Sequence, residues 1–233
     1  MQAVILSGGL GTRLRVVDDT VPKPMVKIAG HPFLFYLTNM LRRRGISEML
    51  FLLAYKSDIV IRFLDELGRS EGLRVAYSVE PSPMGTGGAL RHAVNKLADD
   101  FLVINGDSYL DMDYVDLGVR FKTSCLDAMM TVYDNSSKTD VISNVAIGSD
   151  GLVVDYRKGQ PEAKLGYVDA GVLAMKLNVV VDLIPAGRVC SLENEIYMKL
   201  ISGGKLGSYV TSNRFYDIGT PERLCEFEKA VKK

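Results

Sequence analysis

Apolar positions fall along the chain in two rhythms. Short, largely apolar runs at 3–6, 49–54, 74–79 and 101–104 have the length of strands buried in a parallel sheet. Between them, Phe33, Leu34, Leu37, Met40 and Leu41 recur at helical spacing after His31-Pro32, and Arg42-Arg43-Arg44-Gly45 supplies a basic last turn and a stop. Ile59, Phe63 and Leu67 stand four apart and predict a second helix, closed at Gly68. Leu90, Ala93, Val94 and Leu97 predict a third. This alternation implies a parallel sheet with helices on both faces.

Beyond Asp127 the texture changes. Runs at 129–132, 144–147, 153–156 and 167–175 are strand-like with polar turns between them, and Asp150-Gly151 reads as a hairpin turn. Residues 192–201 predict a helix and Gly203-Gly204 a turn. Runs at 206–210 and 215–218 predict short strands, and Pro221 opens a last helix. No internal repeat and no low-complexity linker interrupts this order.

Composition narrows the function classes. The chain has 233 residues, 47% hydrophobic and 24% charged, which suits a globular protein with a sizeable core. Lys+Arg and Asp+Glu are equal at 28 each, so no net field draws nucleic acid, and any phosphate binding is local. The arginine triplet therefore reads as a solvated helix end. Cys125, Cys190 and Cys225 are far apart, without a C-x-x-C, and His31 and His92 are the only histidines, so no zinc site is expected. Free thiols suit a reducing compartment. The N-terminus lacks a charged leader, and the longest apolar run, 49–55, is far too short to span a membrane. A cytoplasmic protein with no membrane partner is the expectation.

The candidate chemistry starts where the first strand ends. Gly8-Gly9-Leu10-Gly11 places three glycines in four residues, which lets a ligand approach main-chain N–H groups and forms an anion-binding concavity. Arg13 adds a planar fork for phosphate oxygens, and Lys23 a mobile charge. The P-loop pattern is absent, because no Gly-Lys-Ser/Thr closes the loop. The dinucleotide fingerprint fails too: its third glycine would fall at Leu14, and Ala29-Gly30-His31 offers no acid for a ribose. A second glycine-rich stretch, residues 80–89, precedes the third helix and is a further potential ligand cradle. Asn105-Gly106-Asp107 ends a buried strand, on the ligand side of an open α/β sheet.

Gly8-Gly9-Leu10-Gly11-Thr12-Arg13-Leu14, followed by Pro22-Lys23-Pro24-Met25, resembles the opening signature of the sugar-1-phosphate nucleotidyltransferases. Four later segments match in order: residues 80–89, Asn105-Gly106-Asp107, Arg157-Lys158-Gly159 with Tyr167-Val168-Asp169-Ala170-Gly171, and Tyr216-Asp217-Ile218-Gly219-Thr220-Pro221. The resemblance implies a Rossmann-like three-layer α/β/α domain with a mixed, mostly parallel sheet. One domain would cover 1–233, with a nucleotide half at 1–126 and a sugar-phosphate half at 127–233.

It also implies roles. Arg13 and Lys23 would be catalytic, Arg13 on the β/γ-phosphates and Lys23 on the α-phosphate and departing pyrophosphate. Leu6, Ser7, Gly8, Gly9, Gly11, Thr12, Glu80, Gly85, Thr86, Gly87, Gly88, Asn105 and Asp107 would complete the nucleotide site. Lys158, Asp169, Gly171 and Glu193 would bind the sugar phosphate. Asp107 and Asp217 would hold Mg²⁺, which takes one or two carboxylates and leaves its other positions to phosphate and water. Read without the resemblance, Asp107 and Asp217 also suit turn positions, and Lys158 and Glu193 suit a solvated surface.

Two positions depart from the family pattern. Arg157 stands where Glu is usual, and Asp169 stands where Asn is usual, which removes an amide donor. Within the family, the opening motif and the short chain match best the branch that makes GDP-heptose from GTP and a heptose 1-phosphate for bacterial surface polysaccharides. Uridylyl or cytidylyl transfer to another sugar or amino-sugar 1-phosphate is the alternative. A nucleotide-sugar binding protein without turnover is a more distant one. Monomer and homodimer both stay open.

Overall fold

The computed structural model describes residues 1–9, 20–136, 141–158 and 165–232. Its elements run β1 (Gln2–Ser7), β2 (Lys27–Ile28), β3 (His31–Pro32), α1 (Phe33–Arg43), β4 (Glu48–Leu53), α2 (Ser57–Glu71), β5 (Arg74–Val79) and α3 (Gly85–His92). There follow β6 (Asp100–Asn105), β7 (Ser108–Leu110), α4 (Tyr114–Thr123), β8 (Ala128–Asp134), β9 (Val145–Ile147), β10 (Val153–Tyr156) and β11 (Tyr167–Lys176). The chain closes with α5 (Leu177–Leu183), α6 (Tyr197–Ser202), β12 (Leu206–Thr211), β13 (Phe215–Asp217) and α7 (Pro221–Val231).

The apolar runs become strands of a mixed sheet in the order β10-β9-β11-β6-β1-β4-β5, with β8 on β11 and β12 on β8; 74–79 forms its edge strand, β5. β6, β1, β4 and β5 are parallel, in register from Gln2 opposite Phe101 to Leu53 opposite Val79. β11 runs antiparallel to both β6 and β8 and so ties the two parts of the sheet together.

Side chains alternate across these strands, and each face has its own helices. Ala3, Ile5, Phe51 and Ile104 pack with Phe33, Leu37 and Leu64 of the α1 and α2 layer. Val4, Leu50, Leu52 and Val103 pack with Leu90 of α3, with Ala93 just beyond its end and with Val179 and Val180 of α5. The result is the expected three-layer α/β/α architecture. Because β6, β1, β4 and the edge strand β5 are parallel, Ser7, Leu53, Val79 and Asn105 all end at one edge of the sheet. That edge holds the site.

Three sequence expectations need correction. α2 does not stop at Gly68; it runs to Glu71 and ends at Gly72, whose φ of 66° supplies the left-handed cap. The third helix starts at Gly85 rather than near Leu90, so the glycines lie inside its first turns, and it ends at His92, leaving Val94 in a separate 3₁₀ turn and Leu97 in extended backbone. α4 had no counterpart in the reading, although Asp113 caps it by accepting from Val115 N–H and Asp116 N–H. Its Tyr114, Leu117 and Phe121 face the core at helical spacing.

Candidate active site

A cleft of about 350 Å³ opens at the carboxyl edge of β1, β4 and β6. Of the expected nucleotide contacts, Leu6, Ser7, Gly8, Gly9, Lys23, Glu80, Gly85, Thr86, Asn105 and Asp107 line it. Lys158 and Glu193 line it from the later part of the chain. Pro24, Leu52, Pro83, Ala89 and Gly106 line it as well and were not among the candidates. Gly11, Thr12 and Arg13 lie outside the described residues.

The acids and cations near the metal motif are paired. Pro22 and Pro24 frame a single tight turn, Lys23–Met25, in which Met25 N–H donates to Pro22 O. The turn presents Lys23, whose Nζ lies 2.5 Å from Asp107 Oδ2. Asp107 just precedes β7, which pairs antiparallel with β13 so that Ser108 stands opposite Asp217. Ile218 N–H donates to Asp107 O at 3.0 Å. This two-stranded ribbon brings together acids 110 positions apart in the chain. Asp217 is not on the cleft wall. Its Oδ1 accepts Gly219 N–H at 2.8 Å, and its Oδ2 is 2.6 Å from Arg223 on α7. The Arg223 contact spans six residues, from the first turn of α7 back to the end of β13.

Among the described residues, no cluster of three or more acids, histidines or cysteines could enclose a metal ion alone. Two carboxylates on one ribbon beside a phosphate-sized cleft fit a hard cation that keeps phosphate and water as its other ligands.

Glu80 and Ser7 form the wall on the β1 side. Glu80 follows β5, and its Oε2 accepts Met84 N–H at 2.7 Å. Its Oε1 sits so close to Gly8 that a Cβ there would lie 2.6 Å from it. Among the described residues Oε1 has no donor. Burial pushes the Glu80 carboxyl up, against the Met84 N–H and the charge of His92. The Ser7 hydroxyl is buried and has no hydrogen-bond partner among the described residues.

The second glycine stretch does not act as an open cradle. Gly87 N–H and Gly88 N–H both donate to Cys190 O, at 2.9 and 3.2 Å. A Cβ at Gly85 or Gly88 would strike the backbone of Cys190 or Arg188, at 2.5 and 2.9 Å. These glycines let the later segment approach α3, and Gly87 and Gly88 are absent from the cleft wall.

On the cleft wall formed by the later part of the chain, the structure separates the two basic neighbours. Lys158 Nζ lies 2.9 Å from Glu193 Oε1 and faces the cleft, while Arg157 pairs with Asp155 at 3.0 Å. Glu193 is no surface charge. It sits in a π-helical turn (Leu192–Ile196), and its Oε2 accepts from Thr86 O–H at 2.8 Å and Ser191 O–H at 2.9 Å. Burial would raise its pKa, but the Lys158 ammonium, its own main-chain N–H and the Thr86 hydroxyl hold it below the ordinary carboxylate value.

Asp169 and Gly171 stand behind this wall. β11 bulges between Asp169 and Leu173, and Gly171 there has φ 75°. A Cβ on Gly171 would crowd Ser108 Oγ at 2.9 Å and Asn105 Nδ2 at 3.0 Å. Asp169 Oδ1 accepts Gly171 N–H at 2.9 Å, and its Oδ2 accepts the Tyr156 hydroxyl at 3.4 Å. Burial pushes the Asp169 carboxyl up to about 6; Gly171 N–H opposes this and the Glu193 charge adds to it.

A cleft at the carboxyl edge of a parallel sheet, walled by glycines, lysines and acids, defines an α/β protein of the nucleotide-handling class. Residues 2–233 match the Nucleotidyl transferase family, and the chain belongs to it. It is 31% identical to D-glycero-alpha-D-manno-heptose 1-phosphate guanylyltransferase of Campylobacter jejuni over 230 residues, 97% of this chain and 98% of that protein. It is also 31% identical to mannose-1-phosphate guanylyltransferase of Mycobacterium tuberculosis, over 95% of this chain and 62% of that protein. The crystal structure of HddC from Yersinia pseudotuberculosis complexed with GMP-PN matches with a TM-score of 0.81 at 30% identity, with 99% of each chain covered. The chain is a nucleotidyltransferase, as its opening motif implied. Members of the family generally use a divalent metal. No helix among the described residues is long and apolar enough to cross a membrane.

Proposed function

We propose that this chain transfers the guanylyl group of GTP to D-glycero-α-D-manno-heptose 1-phosphate, releasing pyrophosphate, with Mg²⁺ as the metal. The observation that carries guanine is Glu80. Its Oε2 is held by Met84 N–H while Oε1 faces the cleft beside Gly8. A carboxylate only accepts hydrogen bonds. Guanine alone among the common bases presents two adjacent donors, N1–H and N2–H, on its pairing edge. Uracil and thymine flank one donor with two acceptor carbonyls, which a carboxylate would repel. Heptose is supported by 31% and 28% identity to two heptose 1-phosphate guanylyltransferases, each matched over 98% of its length.

The sugar phosphate's oxygen attacks the α-phosphorus, and pyrophosphate leaves in line. Both reactants are anions, so positioning and charge stabilisation carry the rate. Residues 1–126 hold the nucleotide and 127–233 the sugar phosphate. Lys23, released from Asp107, meets the α-phosphate, and Arg13 the β/γ-phosphates. Lys158 meets the sugar phosphate. Asp107 and Asp217 hold Mg²⁺, which when bound supplies positive charge against the phosphate oxygens.

The test is a matrix of nucleoside triphosphates against sugar 1-phosphates, read by pyrophosphate release. GTP with the heptose 1-phosphate is expected to give the highest kcat/KM. Preference for UTP or CTP, or for mannose 1-phosphate, would overturn the base or the sugar assignment respectively.

A further inference from the structure

The segment that carries Glu193 is fastened to the first turn of α3, and part of the fastening passes through one side chain. Three main-chain bonds join the two segments: Gly87 N–H and Gly88 N–H to Cys190 O, and Cys190 N–H to Met84 O at 2.9 Å. These would form with any residue at position 86. The other two bonds belong to Thr86. Its Oγ1 accepts Leu192 N–H at 2.8 Å and donates to Glu193 Oε2 at 2.8 Å. A hydroxyl has one proton to give. That of Thr86 goes to Glu193, so the group expected to meet a nucleotide is committed elsewhere.

From Glu193 the connection reaches the cleft. Glu193 Oε1 lies 2.9 Å from the Lys158 ammonium, a side chain 62% exposed on a flexible four-carbon stem. Ser191 O–H also binds Glu193 Oε2, but Ser191 rides on the same segment as Glu193. It fixes the carboxylate within that segment and cannot tie it to α3. Thr86 is the side chain that does so.

We propose that Thr86 is a positioning residue: by holding the Glu193 carboxylate against α3 it aims Lys158 at the sugar phosphate, which makes the base-side loop and the sugar-side lysine one mechanical unit. This rests on the function proposed above, and it assigns Thr86 to the sugar side of the reaction. Removing the hydroxyl leaves Glu193 held by Ser191 within its own segment but with no side-chain tie to α3, so it follows Lys158 instead of directing it.

The experiment compares the full chain with Thr86→Val, which keeps the branched shape, and Thr86→Ser, which keeps the hydroxyl. Initial rates are measured with GTP and the heptose 1-phosphate varied separately. Thr86→Val is expected to raise KM for the sugar phosphate about tenfold or more, with KM for GTP within about threefold, because one charge-assisted hydrogen bond on the sugar side is lost. Thr86→Ser is expected within about threefold of the parent for both substrates. An unchanged sugar KM in the valine variant, equal losses on both substrates, or a serine variant as impaired as the valine one would each overturn the proposal.

A second readout needs no turnover. The Leu192 amide is expected to exchange with solvent deuterium at least about tenfold faster in Thr86→Val, with the Gly87 amide unchanged. A parent protein that releases no pyrophosphate from any substrate pair contradicts the function proposed above. Unchanged Leu192 exchange contradicts the role of Thr86.

Discussion

Lys23 Nζ and Asp107 Oδ2 lie 2.5 Å apart, so the cation of the first motif and the acid of the strand end neutralise each other across 84 residues of chain. The pair occupies the position where phosphate and metal are proposed to meet. Removing the acid should then do more than cut a contact, since it unbalances Lys23 and leaves one carboxylate for the ion. Asp107→Asn and Asp217→Asn are each expected to lower kcat by about 10²-fold or more, and saturating Mg²⁺ should not restore it. Pyrophosphate release titrated with Mg²⁺ checks this. Near-parental rates in both variants would contradict the two-aspartate assignment.

The split between Arg157 and Lys158 gives a second prediction. Arg157 is turned to Asp155, whereas Lys158 and Glu193 share the cleft wall. Lys158→Ala is expected to raise KM for the sugar 1-phosphate by about 10- to 100-fold and Arg157→Ala by less than about threefold. Steady-state kinetics with each substrate varied in turn would expose the reverse pattern.

Ser7 separates stability from binding. Its hydroxyl is buried without a partner in the described structure, which costs about 1–3 kcal/mol when nothing compensates. Ser7→Ala should therefore leave Tm unchanged or raise it by a few degrees, roughly 2–4 °C per kcal/mol for a chain of this size. It should raise KM for GTP about three- to tenfold, through loss of one hydrogen bond to the nucleotide. Thermal melts and GTP kinetics on the same preparation check both. A lower Tm with unchanged KM would assign the hydroxyl a structural role instead.

Asp169 gives a pH dependence whose sign is opposite to that of a salt-bridged acid. Its folded value of about 6 lies above the ordinary 3.8, so the native state holds the proton more tightly than the unfolded chain. Its contribution to stability is complete below about pH 4 and is lost as pH rises through about 6. Asp169→Asn escapes that loss. Its stability relative to the parent should therefore improve between pH 4 and pH 7, by about 1–3 kcal/mol in total. Parallel Tm-against-pH curves for the two proteins would show that Asp169 carries no such cost.

How legible this was in the sequence varied with the range of the interaction. The runs at 3–6, 49–54 and 101–104 became the central parallel strands β1, β4 and β6, because a strand buried on both faces carries its signal locally, and the more alternating run at 74–79 became the largely exposed edge strand β5. Asp150-Gly151 was legible for the same reason, with Gly151 at φ 80° in the turn. The start of α3 was not. Gly85-Thr86-Gly87-Gly88 reads as a helix breaker, and what sustains the helix is a carbonyl from Cys190, about a hundred residues away. The Thr86–Glu193 bond, and with it the buried setting of Glu193, spans a similar distance and leaves no local pattern. Asp113 with Tyr114, Leu117 and Phe121 carries a local capping and periodicity signal for α4.

The most direct test of guanylyl transfer is the GTP-to-UTP preference of the parent protein against Glu80→Gln. The amide keeps the size of the carboxylate but exchanges an acceptor for a donor, which suits the donor-and-acceptor edge of uracil and faces guanine's two donors with a mismatch. The account predicts that the parent prefers GTP and that the ratio of kcat/KM for GTP to that for UTP falls by about 10²-fold or more in the variant. A ratio that is the same in both proteins would contradict it.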